Sequence, residues 1–238
     1  MLVLSLGVLL GGSALAQVHS PAAGWQQLQI DQNVEPIFPS HLLNRGVTEG
    51  MAQVAINVDA SGQLTDWLAV KYTEPELAGA AVAAIKQWKF KPARLQGESV
   101  GATVDLVFHF EARGVVVSTA TTGEAVEGRL ARLRSGVFAY QPCSARELDR
   151  VPMPTVTVRP QYPKMLADKG VKGQVTVEYY IDETGAVRMP AVSADDNPIL
   201  GALTVIAIGQ WKFTPPTSRG KGVLVKASQV FDFKGNDS

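Results

Sequence analysis

An internal duplication constrains the fold of this 238-residue chain more than any other feature. Residues 88–92 read Trp-Lys-Phe-Lys-Pro, and 123 positions later residues 211–215 read Trp-Lys-Phe-Thr-Pro. At the same offset, residues 50–62 align with residues 173–185, and both stretches end in Asp-x-x-Gly. Because the matches keep their order and spacing, the sequence predicts two copies of one small unit rather than a single large domain.

Each copy begins with a two-proline motif and a short predicted helix. Residues 36–39 (Pro-Ile-Phe-Pro) match residues 160–163 (Pro-Gln-Tyr-Pro) at an offset of 124, so the first copy carries one extra residue. The predicted helices span residues 40–45 and 164–169, and a glycine follows each of them. A glycine at this place is typical of a helix C-terminus.

A hairpin and a longer helix follow in each copy. Residues 173–181 alternate between apolar and polar types, which predicts a strand, and Asp-x-x-Gly predicts the turn to a second strand. We place these second strands at residues 64–72 and 186–193, and the longer helices after Pro75 and Pro198, with Asn197 as an N-cap. The buried helix stripes predicted by the 3.6-residue period are Leu77, Ala80, Ala81, Ala84, Ile85 and Trp88, and Leu200, Leu203, Thr204, Ala207, Ile208 and Trp211.

In the last predicted strand of each copy every second residue faces inward, and these inward residues are mostly apolar. The inward positions are Val100, Ala102, Val104, Leu106, Phe108 and Phe110 in the first copy, and Val223, Val225, Ala227, Gln229, Phe231 and Phe233 in the second. Gln229 is the only polar side chain in this pattern. The predicted fold class is α+β, with two small two-layer domains, each a three-stranded antiparallel sheet with helices on one face.

The domain boundaries follow from the repeat and from the N-terminus. Residues 2–10 are mostly apolar and lead to Ala14-Leu15-Ala16, which predicts a signal peptide over residues 1–16 and an exported, periplasmic protein. The first domain is then 17–112 with a core over 34–111, residues 113–150 form a linker with some local structure, and the second domain is 151–235. Because no Lys or Arg precedes the apolar run, an uncleaved inner-membrane anchor with a start further upstream is the alternative.

Composition disfavours several functional classes. The chain has 22 basic and 22 acidic residues, and a net charge of zero argues against a nucleic-acid partner. Cys143 is the only cysteine, so no internal disulfide can form, and the histidines His19, His41 and His109 are too scattered to predict a metal site. Since no catalytic motif is present, we predict no enzymatic activity, no small-molecule substrate and no cofactor. Asp59 and Asp182 are interpreted as turn residues rather than catalytic acids.

The ordered set of repeated motifs resembles the C-terminal domain of TonB energy transducers. The second copy carries the motif residues Tyr162, Pro163, Gly173, Val175, Val177, Asp182, Gly185, Val187, Trp211, Phe213 and Pro215. In the first copy, Phe38 replaces the tyrosine and Leu64 replaces the valine after the turn, so its match is looser. The resemblance implies a non-enzymatic module that recognises an extended segment of a protein partner, such as a TonB-dependent outer-membrane transporter.

The resemblance also implies where such a partner would bind. The inward-facing strands described above, residues 100–110 and 223–233, would present open sheet edges to which an extended peptide adds as another strand. Glu35 and Arg159, just before the two-proline motifs, would be further contacts. Two alternatives stay open: a true energy transducer with an N-terminal anchor, and a structural module whose edge strands pair with each other or in a homodimer.

Overall fold

A computed structural model describes residues 25–112, 114–120, 138–163, 171–195 and 197–234. The described residues divide into two compact units, of which one ends at Gln141 and the other begins at Pro142. We call them the N-terminal module and the C-terminal module and describe each by itself. The predicted signal peptide, His19 and the predicted helix at 164–169 lie outside the described residues.

The N-terminal module is built around a four-stranded antiparallel sheet. Its elements are β1 (Trp25–Gln26), β2 (Gln29–Gln32), α1 (Ser40–Asn44), β3 (Glu49–Val58), β4 (Leu64–Tyr72), α2 (Pro75–Ile85), β5 (Lys89–Lys91), β6 (Ala93–Leu95), β7 (Glu98–Val100), β8 (Ala102–Glu111) and β9 (Gly114–Ala120). The main sheet has the order β4-β3-β8-β9. Two smaller sheets, β1-β6-β7 and β2-β5, lie beside it in the same module.

The C-terminal module repeats this plan with a three-stranded antiparallel sheet. Its elements are a 3-10 turn (Ala145–Glu147), β10 (Pro154–Val156), β11 (Gly173–Ile181), β12 (Val187–Asp195), α3 (Pro198–Ile208), β13 (Lys212–Phe213), β14 (Thr217–Ser218), β15 (Lys221–Gly222) and β16 (Val225–Phe233). The main sheet has the order β12-β11-β16. The α+β class is therefore confirmed, whereas the prediction of three strands is wrong for the N-terminal module, which has a fourth.

The Asp-x-x-Gly turns have the same structure in both modules. The Asp59 carboxylate accepts hydrogen bonds from the backbone N–H of Ser61 at 2.8 Å and of Gln63 at 2.9 Å. The Asp182 carboxylate does the same for Thr184 at 2.9 Å and for Ala186 at 3.0 Å. The glycine that ends each turn has a φ of +86°, which a residue with a Cβ rarely adopts. The interpretation of these aspartates as turn residues is confirmed.

The longer helices begin differently in the two modules. The Asn197 side chain caps α3 by accepting hydrogen bonds from the backbone N–H groups of Ile199 and Leu200, as the sequence predicts. Glu74 precedes α2 without a side-chain capping bond. Both helices start with proline, whose missing N–H leaves no bond unmade at that position.

Each core forms where the helix stripe packs on the sheet. In the N-terminal module α2 packs on β3 and β4, and Leu77, Ala81 and Ile85 belong to one buried cluster with residues of the sheet. In the C-terminal module α3 packs on β11 and β12, and Leu200 and Ile208 belong to the corresponding cluster. Trp88 and Trp211 close these cores with only 6% and 3% of their surface exposed. They are core residues, as the sequence predicts, rather than part of an aromatic ligand cage.

Candidate strand-recognition edges

The last strand of the C-terminal module lies at an edge of its sheet. Strand β16 pairs with β11 over its whole length, from Val225 opposite Ile181 to Phe233 opposite Gly173. In the sheet order it has no second neighbour among the described residues. An edge strand directs half of its main-chain N–H and C=O groups away from the sheet, where another strand can bind them. Among the described residues of the C-terminal module, β16 is therefore an open edge.

Most of the predicted site residues of this strand serve the core rather than the surface. Val225, Gln229 and Phe231 are buried, and Ala227 and Phe233 pack against the same cluster. Val223 lies before the strand and donates its backbone N–H to the Pro216 carbonyl at 3.1 Å. These residues contribute main-chain groups to the edge, and their side chains hold the strand in place.

The alternate positions of β16 place their side chains on the other face of the sheet, and sequence reasoning did not include them among the site residues. Lys226 and Asp232 are exposed, whereas Ser228 and Val230 are half-buried. The Lys226 ammonium lies 2.7 Å from the Glu178 carboxylate, and the Asp232 carboxylate accepts a hydrogen bond from the Gln174 amide at 2.9 Å. The strict alternation of the strand was the available signal, since it places every second residue on the opposite face.

The corresponding strand of the N-terminal module is covered for most of its length. Strand β8 pairs with β3 on one side and with β9 on the other, where residue pairs run from Asp105–Ala120 to Glu111–Gly114. The predicted open edge is therefore wrong for residues 105–111, because part of the predicted linker occupies it. Within β8, the residues Ala102–Val104 are the ones that do not pair with β9. Val100, the first residue of the predicted segment, belongs to the separate strand β7.

The residues just before the two-proline motifs are anchored by the core tryptophans. The Trp88 indole N–H donates to the Val34 carbonyl, and the Trp211 indole N–H donates to the Val158 carbonyl, each at 2.8 Å. Glu35 and Arg159, the next residues in each copy, are exposed. The indole bonds explain why the two segments run alike, although their exposed side chains differ in charge.

In the C-terminal module this segment lies near the end of the open edge. Three residues after Arg159, the Tyr162 ring packs against the Phe233 ring at the end of β16, with 5.7 Å between their centroids. The Tyr162 hydroxyl donates a hydrogen bond to the Val171 carbonyl. The two-proline motif thereby connects the chain around Arg159 to the C-terminal end of β16.

The cysteine and two of the histidines lie within the described residues. Burial raises the pKa of the Cys143 thiol, so the reactive thiolate is disfavoured. His41 lies 3.4 Å from Glu76 on a helix pair, whereas His109 lies in β8 opposite Met51. Within the described ranges, no group of three or more His, Cys, Asp or Glu side chains is placed to hold a metal ion. Likewise, no helix in the described part of the chain has the length and apolar character to cross a membrane.

Each module is a small α+β domain with an antiparallel sheet, and in the described part of the chain β16 is the edge strand of its sheet. The family model for the C-terminal region of the Gram-negative bacterial TonB protein matches residues 34–112 and 158–234. The chain belongs to this TonB C-terminal family, with two copies of its domain. The family consists of non-enzymatic transport proteins of the bacterial envelope.

Individual relatives match one part of the chain. The chain is 29% identical over 88 residues to Protein TonB of Vibrio cholerae serotype O1 (strain ATCC 39315 / El Tor Inaba N16961), which covers 37% of this chain and 36% of that protein. It thus spans about a third of the length of this relative. A solved structure with similarity is the solution NMR structure of the Pseudomonas aeruginosa TonB CTD, at 28% identity. That match covers 38% of this chain and 92% of the other, with a TM-score of 0.33.

Proposed function

We propose that this protein is a periplasmic TonB-like protein whose C-terminal module binds an extended segment of a protein partner as an added strand on β16. The observation that carries the proposal is the sheet order, in which β16 has a neighbour on one side only among the described residues. Strand addition needs no catalytic group and no cofactor, because main-chain hydrogen bonds supply the attraction.

The affinity of such a site is limited by the physics of strand addition. Each main-chain hydrogen bond contributes about 0.5–1.5 kcal/mol net, because the free groups are already bonded to water. Ordering the peptide opposes this gain, so a segment of five to seven residues binds with a dissociation constant of roughly 1 µM to 1 mM. Selectivity then depends on the side chains of β16 at Ser228 and Val230 and on its flanking charges.

Arg159 is the proposed flanking contact. It is exposed, and the two-proline motif that follows it packs against the end of β16 through Tyr162 and Phe233. A guanidinium there favours a partner segment with a carboxylate beside the paired stretch. Glu35 has the equivalent place in the N-terminal module, where the neighbouring edge is covered, so we assign it no partner contact.

The proposed partners are outer-membrane transporters of the TonB-dependent type. Family membership supports this choice, since TonB proteins take part in the energy coupling of transport across the outer membrane. In this proposal the protein works in the periplasm, by protein–protein contact alone. Its proposed role is to recognise a segment of the transporter, which binds at the edge of β16.

Titration of the isotope-labelled full chain by NMR tests the proposal. The probes are synthetic peptides with the N-terminal segments of such transporters, and the control peptides have proline at every second position. We expect shift changes at residues 225–233 and near Arg159 with the first set and none with the control set, because proline cannot donate a main-chain hydrogen bond. A set of transporter peptides that leaves β16 unchanged would refute the proposal.

A further inference from the structure

Strand β9 extends the sheet of the N-terminal module by seven residues of the chain's own linker. The chain leaves β8, turns, and comes back antiparallel, so that Val117 lies opposite Phe108 and Val115 opposite Phe110. The backbone N–H of Ala112, at the start of the turn, donates to the Thr48 carbonyl at 2.8 Å. This bond ties the base of the β8–β9 hairpin to the rest of the module.

The repeat shows what β9 covers. At the offset of 123, residues 105–111 of β8 correspond to residues 228–234 of the second copy. Those residues include the C-terminal half of β16, which has no second neighbour among the described strands. Strand β9 therefore lies in the N-terminal module where a partner strand would lie in the C-terminal module.

The sequence of β9 suits this place. It reads Gly-Val-Val-Val-Ser-Thr-Ala, with no charge and no proline. β-branched residues favour extended backbone. Because the segment has no proline, each of its residues has a main-chain N–H that can donate a hydrogen bond. Seven residues of this composition have the properties of a good ligand for a sheet edge.

We propose that Gly114–Ala120 is a built-in occupant of the recognition edge of the N-terminal module. It closes this module to foreign strands and leaves the C-terminal module as the receptor. The proposal rests on the proposed function in one respect, namely that recognition occurs by strand addition to the last strand. A partner segment binds β8 only after β9 has left.

The covalent connection makes this closure effective. A segment tethered by a short turn competes at an effective concentration of about 1 mM or more. A foreign strand of similar intrinsic affinity, present at micromolar concentration, is thus disfavoured by roughly 10³-fold. Among the described strands β9 is itself an edge, but a strand bound there would lie one further spacing of about 4.8 Å away from β8.

The full chain with the double substitution Val116→Pro and Val117→Pro tests the proposal by amide hydrogen exchange. Consecutive residues of a strand direct their N–H groups to opposite sides, so one of the two prolines removes a bond to β8. We expect the β8 amides over residues 105–111 that face β9 to exchange at least about 10-fold faster, while β3 keeps its protection. Adding a synthetic peptide with the sequence of residues 114–120 should restore the protection of β8. The matched control, Val116→Thr with Val117→Thr, should exchange like the unaltered chain.

The outcomes separate this inference from the proposed function. Unchanged β8 exchange in the proline variant, failure of the peptide to restore it, or binding of the peptide to β8 of the unaltered chain would each overturn the inference. If β3 also loses protection, the module has unfolded, and the milder pair Val116→Gly and Val117→Gly is judged by the same criteria. Peptide effects on β16 report on the proposed function alone, so either idea can fail without the other.

Discussion

The two modules share a fold but differ in the polarity of their cores. Three equivalent positions at the offset of 123 are apolar and buried in the N-terminal module, namely Ile56, Ala81 and Leu106. The C-terminal module has polar side chains there, namely Tyr179, Thr204 and Gln229, and these are equally buried, with 1% exposure or less. The same backbone and the same helix stripe therefore accommodate polar as well as apolar side chains at these three sites.

The three polar groups are accommodated to different degrees. The Thr204 hydroxyl donates to the Leu200 carbonyl at 2.7 Å, and the Gln229 amide donates to the Val230 carbonyl at 3.0 Å. The Tyr179 hydroxyl has no hydrogen-bond partner among the described residues, and burial raises its pKa. A buried polar group without a partner lowers stability, so we expect the C-terminal module to be the less stable of the two.

The surfaces of the longer helices differ as well. In the N-terminal module Arg45 pairs with Glu74 at 3.0 Å and with Glu76 at 3.2 Å, which connects α1 to α2. At the positions of these acids the C-terminal module has Asn197 and Ile199, and Ile199 is 52% exposed. The N-terminal module thus has charged side chains at the start of α2 and a covered edge at β8. The C-terminal module has an exposed apolar side chain at the start of α3, and its β16 has one neighbour among the described strands.

The largest expected change in unfolding free energy comes from placing a polar side chain in the apolar core of the N-terminal module. Leu106→Gln puts the side chain of Gln229 into the equivalent N-terminal position, where we expect a loss of about 2–3 kcal/mol of unfolding free energy. Hydrogen exchange of β3, compared with β11 of the same chain, measures the loss for each module. The reciprocal Gln229→Leu should stabilise β11 by about 1 kcal/mol. A loss below about 1 kcal/mol in Leu106→Gln would show that the two cores are equally permissive.

Two tyrosine hydroxyls of the C-terminal module should have opposite effects on its stability. Tyr179→Phe eliminates a buried hydroxyl without a hydrogen bond, and we expect a gain of about 1 kcal/mol, measured by exchange of β11. Tyr162→Phe is the matched control, because its hydroxyl donates to the Val171 carbonyl, and it should lose about 1 kcal/mol. Equal effects of the two substitutions would contradict the assignment of Tyr179 as the unfavourable group.

A smaller effect is expected at the exposed start of α3. Ile199→Glu restores the acid that α2 has at Glu76, and a negative charge in the first helical turn should raise stability by about 0.3 kcal/mol. Ile206→Glu, in the last turn of the same helix and also exposed, is the control, and it should lower stability slightly. Chemical denaturation at low and high salt measures both, and identical effects would exclude an interaction with the helix dipole.

The smallest expected effect is a shift in acid titration. The hydrogen bond from the Ser61 side chain, followed by the backbone bond from Gln63, lowers the pKa of Asp59 below its ordinary value of 3.8. Backbone bonds from Gly220 and Arg219 lower the pKa of Asp149 in the C-terminal module. A lowered folded pKa stabilises the fold above the unfolded pKa, and this contribution disappears as the pH falls through the folded pKa.

Ser61→Ala checks the cause of the first shift. Loss of the hydroxyl should raise the pKa of Asp59 toward 3.8 and leave that of Asp149 unchanged, as followed by NMR titration of the carboxyl carbons. An unchanged Asp59 titration would show that the backbone bonds alone account for its pKa.

Much of each module could be predicted because its signals are local. The Asp-x-x-Gly turns, the Asn197 cap and the stripes that end in Trp88 and Trp211 each depend on residues within a few turns of backbone. The repeat strengthened these predictions, because each motif occurs in both copies and therefore has to fit the same fold in both. The strand that pairs with the last strand of each module could not be predicted in this way. Such pairing joins residues that are distant in sequence, and it depends on how the whole sheet folds.

The duplication, the order of helices and strands, and the inward face of each final strand follow from the amino-acid sequence alone, because they depend on hydrophobic period and on turn chemistry. The pairing of Gly114–Ala120 with β8, and the lack of a second neighbour for β16 among the described strands, emerge only in the folded sheets. A run of β-branched residues favours extended backbone wherever it occurs, but its hydrogen bonds are satisfied by whichever edge the folded sheet brings beside it. For that reason the two copies, so alike in their motifs, differ in what pairs with their last strands among the described residues.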